Sequence, residues 1–233
     1  MYKVAKIDKH TLCCLHFDKS VTKDEIGKYE WKENKKPVLS DTGKFNKSLD
    51  TSQGSIYMPI SPQLNDNDFT IDFWLYVKNV SAEYNTILCF NDNSTPSTPG
   101  NFILYYDFSA TQIVIVSYSQ TNINNLAIPF AKEMWSHIAI VRKGNTVIFY
   151  KNGKTIKSGQ VSGNIYPNAN LPFVIGDYMS LGWNNRRLNG YIDEFRISDI
   201  ARWTSDFTPP MTAYNRNLHL YLDENNAVWG CRE

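Results

Sequence analysis

Apolar and polar residues alternate along most of this chain with a period of two, the spacing of side chains on a β-strand. The run Phe69-Thr70-Ile71-Asp72-Phe73-Trp74-Leu75-Tyr76-Val77 places Phe69, Ile71, Phe73, Leu75 and Val77 on one face. That face is expected to enter a core, leaving Asp72 and Trp74 together on the other. Further β-branched and aromatic runs predict strands at Thr86 to Phe90, Phe102 to Tyr106, Ile113 to Tyr118, Trp135 to Arg142 and Thr146 to Tyr150. Lys151-Asn152-Gly153-Lys154 then predicts a tight hairpin, because Asn-Gly accepts the positive φ angles of a type I′ turn. No segment carries a long helical period. The breaker-rich stretch between Asn91 and Asn101 predicts an exposed loop, and residues 176–189 a second one that carries aromatics.

The segment Gly190-Tyr191-Ile192-Asp193-Glu194-Phe195-Arg196-Ile197-Ser198 also alternates, with Asp193 in phase with Tyr191, Phe195 and Ile197. A carboxylate on a buried face costs several kcal/mol unless it is neutralised or hydrogen-bonded, so a cation, an arginine or backbone donors must meet it. Beyond it, Asp199-Ile200-Ala201-Arg202-Trp203 predicts one helical turn capped by Ser198 or Asp199 and ending before Pro209-Pro210. The tail, with Leu218-His219-Leu220-Tyr221-Leu222-Asp223, reads as a small appended strand pair or the remnant of a following module. The expected organisation is an N-terminal extension over 1–10, one sandwich domain over 11–212 and an appended segment over 213–233.

A chain of 233 residues suffices for one large all-β core. The formal net charge of +1, with scattered lysines, argues against nucleic acid as a partner. The densest basic stretch, Lys32 to Lys36, reads as a solvated loop. The N-terminal residues lack the apolar core of a secretory signal, and no apolar run is long enough to cross a bilayer, so cytoplasmic synthesis without a signal peptide and without membrane insertion is expected. Cys13, Cys14, Cys89 and Cys231 lack metal-site spacing and are expected to be packed free thiols, Cys13 and Cys14 pointing to opposite faces.

Four segments taken in order carry a family resemblance: Leu15-His16-Phe17-Asp18, Asp68 to Trp74, Trp135 to Arg142 followed by Tyr150 to Lys154, and Gly190 to Ile197. Across roughly residues 10 to 210 the chain resembles the laminin-G-like, concanavalin A-type jelly roll shared with pentraxins and many bacterial and phage surface modules. The resemblance implies an all-β sandwich of two curved antiparallel sheets, with first and last strands adjacent. In some relatives a structural calcium sits where those strands meet, and the matching positions are Asp18, Gly43 and Asp193. Oxygen ligands suit calcium. The alternative is that Asp193 is held by Arg196, Arg202 or backbone donors.

The fold does not fix a chemistry. Glycosidases of this shape set two carboxylates about two residues apart on one strand, whereas here the nearest candidates are Asp66/Asp68 and Asp68 to Asp72, and the adjacent Asp193 and Glu194 diverge. Asp72 reads as a hydrogen-bonded sheet residue, and His137 as a satisfied core or interface histidine. Neither a phosphate loop nor a Ser-His-Asp order is present. Sugar sites combine an aromatic platform with amides and charged groups, and Tyr178, Trp183, Asp177, Asn184, Asn185 and Arg187 supply both. Trp183 folded back as a plug over the sandwich end is the alternative. The expected function is a non-catalytic module of a phage tail or bacterial surface assembly that binds a glycan or cell-surface polymer. The alternatives are a structural domain joined to tail or virion proteins and, third, a glycoside hydrolase.

Overall fold

The computed structural model describes residues 6–64, 66–79, 84–90, 102–117, 123–165, 171–178, 186–215, 220–222 and 228–230, and among them there is no helix. The first strands are β1 (Thr11–Leu15), β2 (Lys32–Lys35), β3 (Val38–Ser40), β4 (Ser48–Asp50), β5 (Gly54–Met58) and β6 (Phe69–Val77). There follow β7 (Tyr84–Phe90), β8 (Phe102–Asp107), β9 (Gln112–Ser117), β10 (Leu126–Pro129), β11 (Ser136–Lys143) and β12 (Thr146–Lys151). The last are β13 (Lys154–Gln160), β14 (Phe173–Ile175), β15 (Gly190–Ser198), β16 (Leu220–Leu222) and β17 (Val228–Gly230).

They form a jelly-roll sandwich of two antiparallel sheets. The first has the order β13-β12-β11-β6-β15-β4-β3, with β1 added along β15; the second runs β10-β9-β8-β7-β14-β5-β2. β16 and β17 make a separate two-stranded ribbon. The first and last long strands are adjacent as expected, Thr11 opposite Ser198 and Leu15 opposite Phe195. The expected hairpin is present, with Asn152 at φ 51 and Gly153 at φ 75.

The core lies between the sheets. Phe69, Ile71, Phe73, Leu75 and Val77 enter it from β6, as the alternation requires, and meet Phe90, Leu104 and Phe173 of the second sheet. Trp31 ties the layers together, edge-on to both Phe173 and Phe195 at 6.1 Å. Cys13 is in this core and Cys14 on the opposite face against Ile7 and Tyr214, both as free thiols.

Three expectations need correction. Asp193 is not in phase with Phe195 and Ile197, because a bulge between Asp193 and Arg196 resets the alternation and puts Glu194 at φ 49. Ile192 before the bulge and Phe195 after it both face the core, whereas Asp193 sits opposite Trp74 on the outer face. The stretch Lys32 to Lys36 is exposed but not a loop, since Lys32–Lys35 pair with β5 as an edge strand. Charged side chains on such an edge discourage further pairing. The turn expected at 199–203 is not helical. Arg202 N–H donates to Thr70 Oγ1 at 2.9 Å and its guanidinium to Ser198 Oγ at 2.6 Å, which draws the chain along the end of β6 and leaves Ser198 no capping role. The loop expected over 91–101 lies outside the described residues.

Residues 199–215 cross the outer face of the first sheet. Trp203 and Phe207 stack 3.9 Å apart and stand edge-on to His137. Phe207 N–H bonds Gly153 O at 2.8 Å, and a Cβ on Gly153 would fall 1.8 Å from Phe207 O, so the hairpin glycine also admits this crossing. At the other end Arg202 clamps Asp8 with two hydrogen bonds, which holds that carboxyl down at about 2. A depressed acid contributes stability that is complete above about pH 4 and lost as pH falls toward 2. Arg202→Ala is therefore expected to lose stability at neutral pH and to show a weaker pH dependence between about 4 and 2, read by urea unfolding across that range.

Candidate functional site

Asp72, the one acid of β6 and fully buried, stands opposite Arg196 in the sheet. Arg196 Nε and Nη2 donate to its two oxygens at 3.0 and 3.1 Å, and His137 Nε2 and the Tyr214 hydroxyl also bond it. Burial works against charge on Asp72, but the guanidinium and the histidine outweigh it and hold the carboxyl well below the usual range. Burial pushes His137 down, against the pull of Asp72. Asp72 takes the hydrogen-bonded role read from the sequence, whereas His137 is only half satisfied, because its buried Nδ1 has no partner among the described residues. The Arg196 guanidinium also covers the Tyr214 ring at 4.0 Å.

The terminal-strand corner gathers the three residues matched to a calcium site. Asp193 Oδ2 accepts N–H groups of Lys44 and Phe45 at 2.8 and 2.9 Å, and Oδ1 accepts that of Glu194 at 2.7 Å. Asp18 accepts from Lys47 N–H and Asn46 Nδ2. A Cβ on Gly43 would lie 2.4 Å from Asn46 O, so glycine is needed to close this loop. Both carboxyls thus clamp residues 43–47 through donors, whereas a calcium ion demands oxygen ligands turned toward one point. Burial pushes the Asp193 carboxyl up to about 8, against the pull of the backbone donors. Among the described residues no three acidic, histidine or cysteine side chains converge as metal ligands.

Sequence reasoning missed the partner of Glu194. His16 Nδ1 lies 2.8 Å from Glu194 Oε1, and Tyr214 N–H donates to Oε2 at 2.7 Å. Burial disfavours the imidazolium, but the hydrogen bond and charge of Glu194 prevail and raise His16. These bonds hold the left-handed Glu194, whose conformation costs about 1 kcal/mol or more. No local pattern betrays this pair, which is 178 residues apart. His16 also lines a cleft of 530 Å3 with Ile7, Asp18, Lys19, Glu25 and Tyr214.

Of the six residues expected to form a ligand loop, the structure brings together Asp177, Tyr178 and Arg187 at one end of the sandwich. Trp183, Asn184 and Asn185 lie outside the described residues. Gly176 N–H bonds Ile87 O and Leu188 N–H bonds Gly176 O, which fixes the two roots of the loop against each other. Arg187 Nε is 3.6 Å from Asp177 Oδ2, beyond a hydrogen bond, and is buried with no acceptor among the described residues. Its Nη1 donates to Ser52 O at 3.0 Å. Burial pushes the Asp177 carboxyl up. Tyr178 does not face solvent as expected: it is buried with Cys89 and Val174 on the outer face of the second sheet, because the chain turns inward after β14.

The two-layer architecture and its polar outer-face networks define a sandwich that carries its candidate sites outside the core. Residues 50–206 match the family model of the concanavalin A-like lectin/glucanases superfamily, and the chain belongs to that superfamily. Its fold is similar to domain 4 of AbnA, an extracellular GH43 arabinanase from Geobacillus stearothermophilus in complex with arabinotriose, at 18% identity and TM-score 0.63, covering 85% of this chain and 95% of that one. It is also similar to the botulinum neurotoxin serotype D binding domain, at 14% identity and TM-score 0.58, covering 83% and 48%. A third similar structure is the Trypanosoma rangeli sialidase in complex with 2,3-difluoro-KDN, at 13% identity and TM-score 0.60, covering 84% and 31%. The chain thus spans nearly all of the first, about half of the second and a third of the last. Comparison with curated proteins returns no match.

Asp72→Asn leaves Arg196 buried without its counter-charge and is expected to cost about 3–5 kcal/mol in denaturant unfolding, whereas the paired exchange Asp72→Leu with Arg196→Met costs much less. The melting temperature is expected to be the same in millimolar calcium and in chelator, because a cation bound only by the folded chain would raise it.

Proposed function

We propose that this domain is a non-catalytic carbohydrate-recognition module that binds a glycan at the end of the sandwich, around Asp177, Arg187 and the loop between them. The observation that carries it is the Asp177–Arg187 ion pair, which sets a carboxyl and a guanidinium side by side at the loop's roots. A vicinal diol offers the matching acceptor and donor. The loop sequence adds the indole of Trp183 and the amides of Asn184 and Asn185. An indole face covers the C–H face of a sugar ring while the amides bond its hydroxyls.

Absence of catalysis is supported by how the acids are engaged. Of the acids that sequence placed nearest to a sheet pair, Asp68 accepts from Lys143 Nζ and Gly144 N–H and Asp72 from Arg196, and the diverging Asp193 and Glu194 each hold a structural partner as well. The arabinotriose carried by the similar arabinanase domain supports a sugar as the ligand.

Glycan-array screening followed by calorimetry tests the proposal. Trp183→Ala is expected to weaken a bound glycan tenfold or more without changing the melting temperature; unaltered affinity removes the loop from the site.

A further inference from the structure

We infer that the aromatic cluster Tyr76, Trp135 and Tyr191, on the outer face of the first sheet, is a second sugar-binding surface that takes the apolar face of a neutral pyranose. The inference rests on the carbohydrate reading above and concerns a separate surface.

Register builds the cluster. Tyr191 stands opposite Tyr76 on β6 and opposite Asp50 on β4. Ser136 opposite Leu75 brings Trp135, one residue earlier, alongside Tyr76. Ring centroids are 5.7 Å apart for Tyr76–Trp135, 5.5 Å for Tyr76–Tyr191 and 6.4 Å for Trp135–Tyr191. All three side chains are half-buried. A turn with Glu133 at φ 59, whose N–H bonds Val77 O, delivers Trp135 and leaves Met134 beside it 52% exposed.

The rest of this face is covered. Two residues back along the strands, Trp74, His137 and Asp193 are buried beneath Phe45, Lys44, Trp203 and Phe207. Among the described residues the crossing segment stops at that row, and the next one stays partly exposed. An open group of three adjoining rings is more than the scattered exposure of single apolar residues.

The polar groups at its margin select the occupant. Lys78 Nζ lies 4.2 Å from the centre of the Tyr191 ring and donates to Asp50 Oδ2 and Ser52 Oγ, each at 2.8 Å. Lysine and aspartate thus neutralise one another, and no acid on the ligand is called for. Rings tilted by 32° to 58° give a faceted floor for C–H groups. Asp50, Ser52 and the tyrosine hydroxyls supply bonding partners for sugar hydroxyls at its edge.

The test uses the whole chain in affinity electrophoresis and calorimetry with xylan, mixed-linkage glucan and acidic polygalacturonate. Trp135→Ala is expected to weaken binding of a neutral polymer tenfold or more, Trp135→Phe to retain most of it, and Lys157→Ala on the far edge strand to leave it unchanged. Matching melting temperatures keep a folding defect from passing as a binding one. If Trp183→Ala removes all binding while Trp135→Ala removes none, the cluster is overturned and the carbohydrate reading stands. If no polysaccharide binds the wild-type chain, the reading fails and the cluster with it. Preference for polygalacturonate that Trp135→Ala abolishes overturns the neutral assignment, and a dimer in light scattering that dissociates in that variant overturns sugar in favour of a second copy of this chain.

Discussion

The buried pair Asp72–Arg196 organises one whole side of this molecule. An ionised carboxylate and a guanidinium sit on adjacent strands of the first sheet, where neither would remain charged without the other. Their unfilled bonding capacity draws in His137 and the Tyr214 hydroxyl, and through Tyr214 it pins the segment that crosses the sheet. Trp203 and Phe207 then cover the histidine. Polar satisfaction at the centre thus decides which part of the outer face is covered and which stays open at Tyr76, Trp135 and Tyr191.

The bulge at Glu194 is the second constraint. Two strands, β4 and β1, share one side of β15 end to end, and the bulge lies between the residues that pair with each. The extra residue turns Asp193 toward the loop at 43–47 and Glu194 toward His16, so two adjacent acids fasten two different segments. A regular strand would have pointed one of them into the apolar interior.

These engagements shape the functional reading. A jelly roll offers its loops and outer faces as variable surfaces over a core that does not change, so recognition can be altered without refolding. Here Asp72, Asp193 and Glu194 are bound into the scaffold, while aromatics and hydrogen-bonding groups remain at the surface.

Period-two alternation was enough to read β6, the Asn-Gly hairpin and the two-layer class, because side-chain direction in a strand depends only on parity and turns depend on local φ. It also assigned a structural role to Asp72, which shares a face with Trp74 on its own strand. Parity misled at Asp193, because a bulge inserts one residue without a mark in the sequence, and capping residues misled at 199–203, where Thr70 and Asp8 compete with helix formation from distant positions. The His16–Glu194 bond, the inward turn of Tyr178 and the cluster of Tyr76, Trp135 and Tyr191 depend on which strands lie side by side. Sequence determined the strands and the faces within them; only the tertiary structure decided their neighbours, because register between distant segments is set by how the whole core packs.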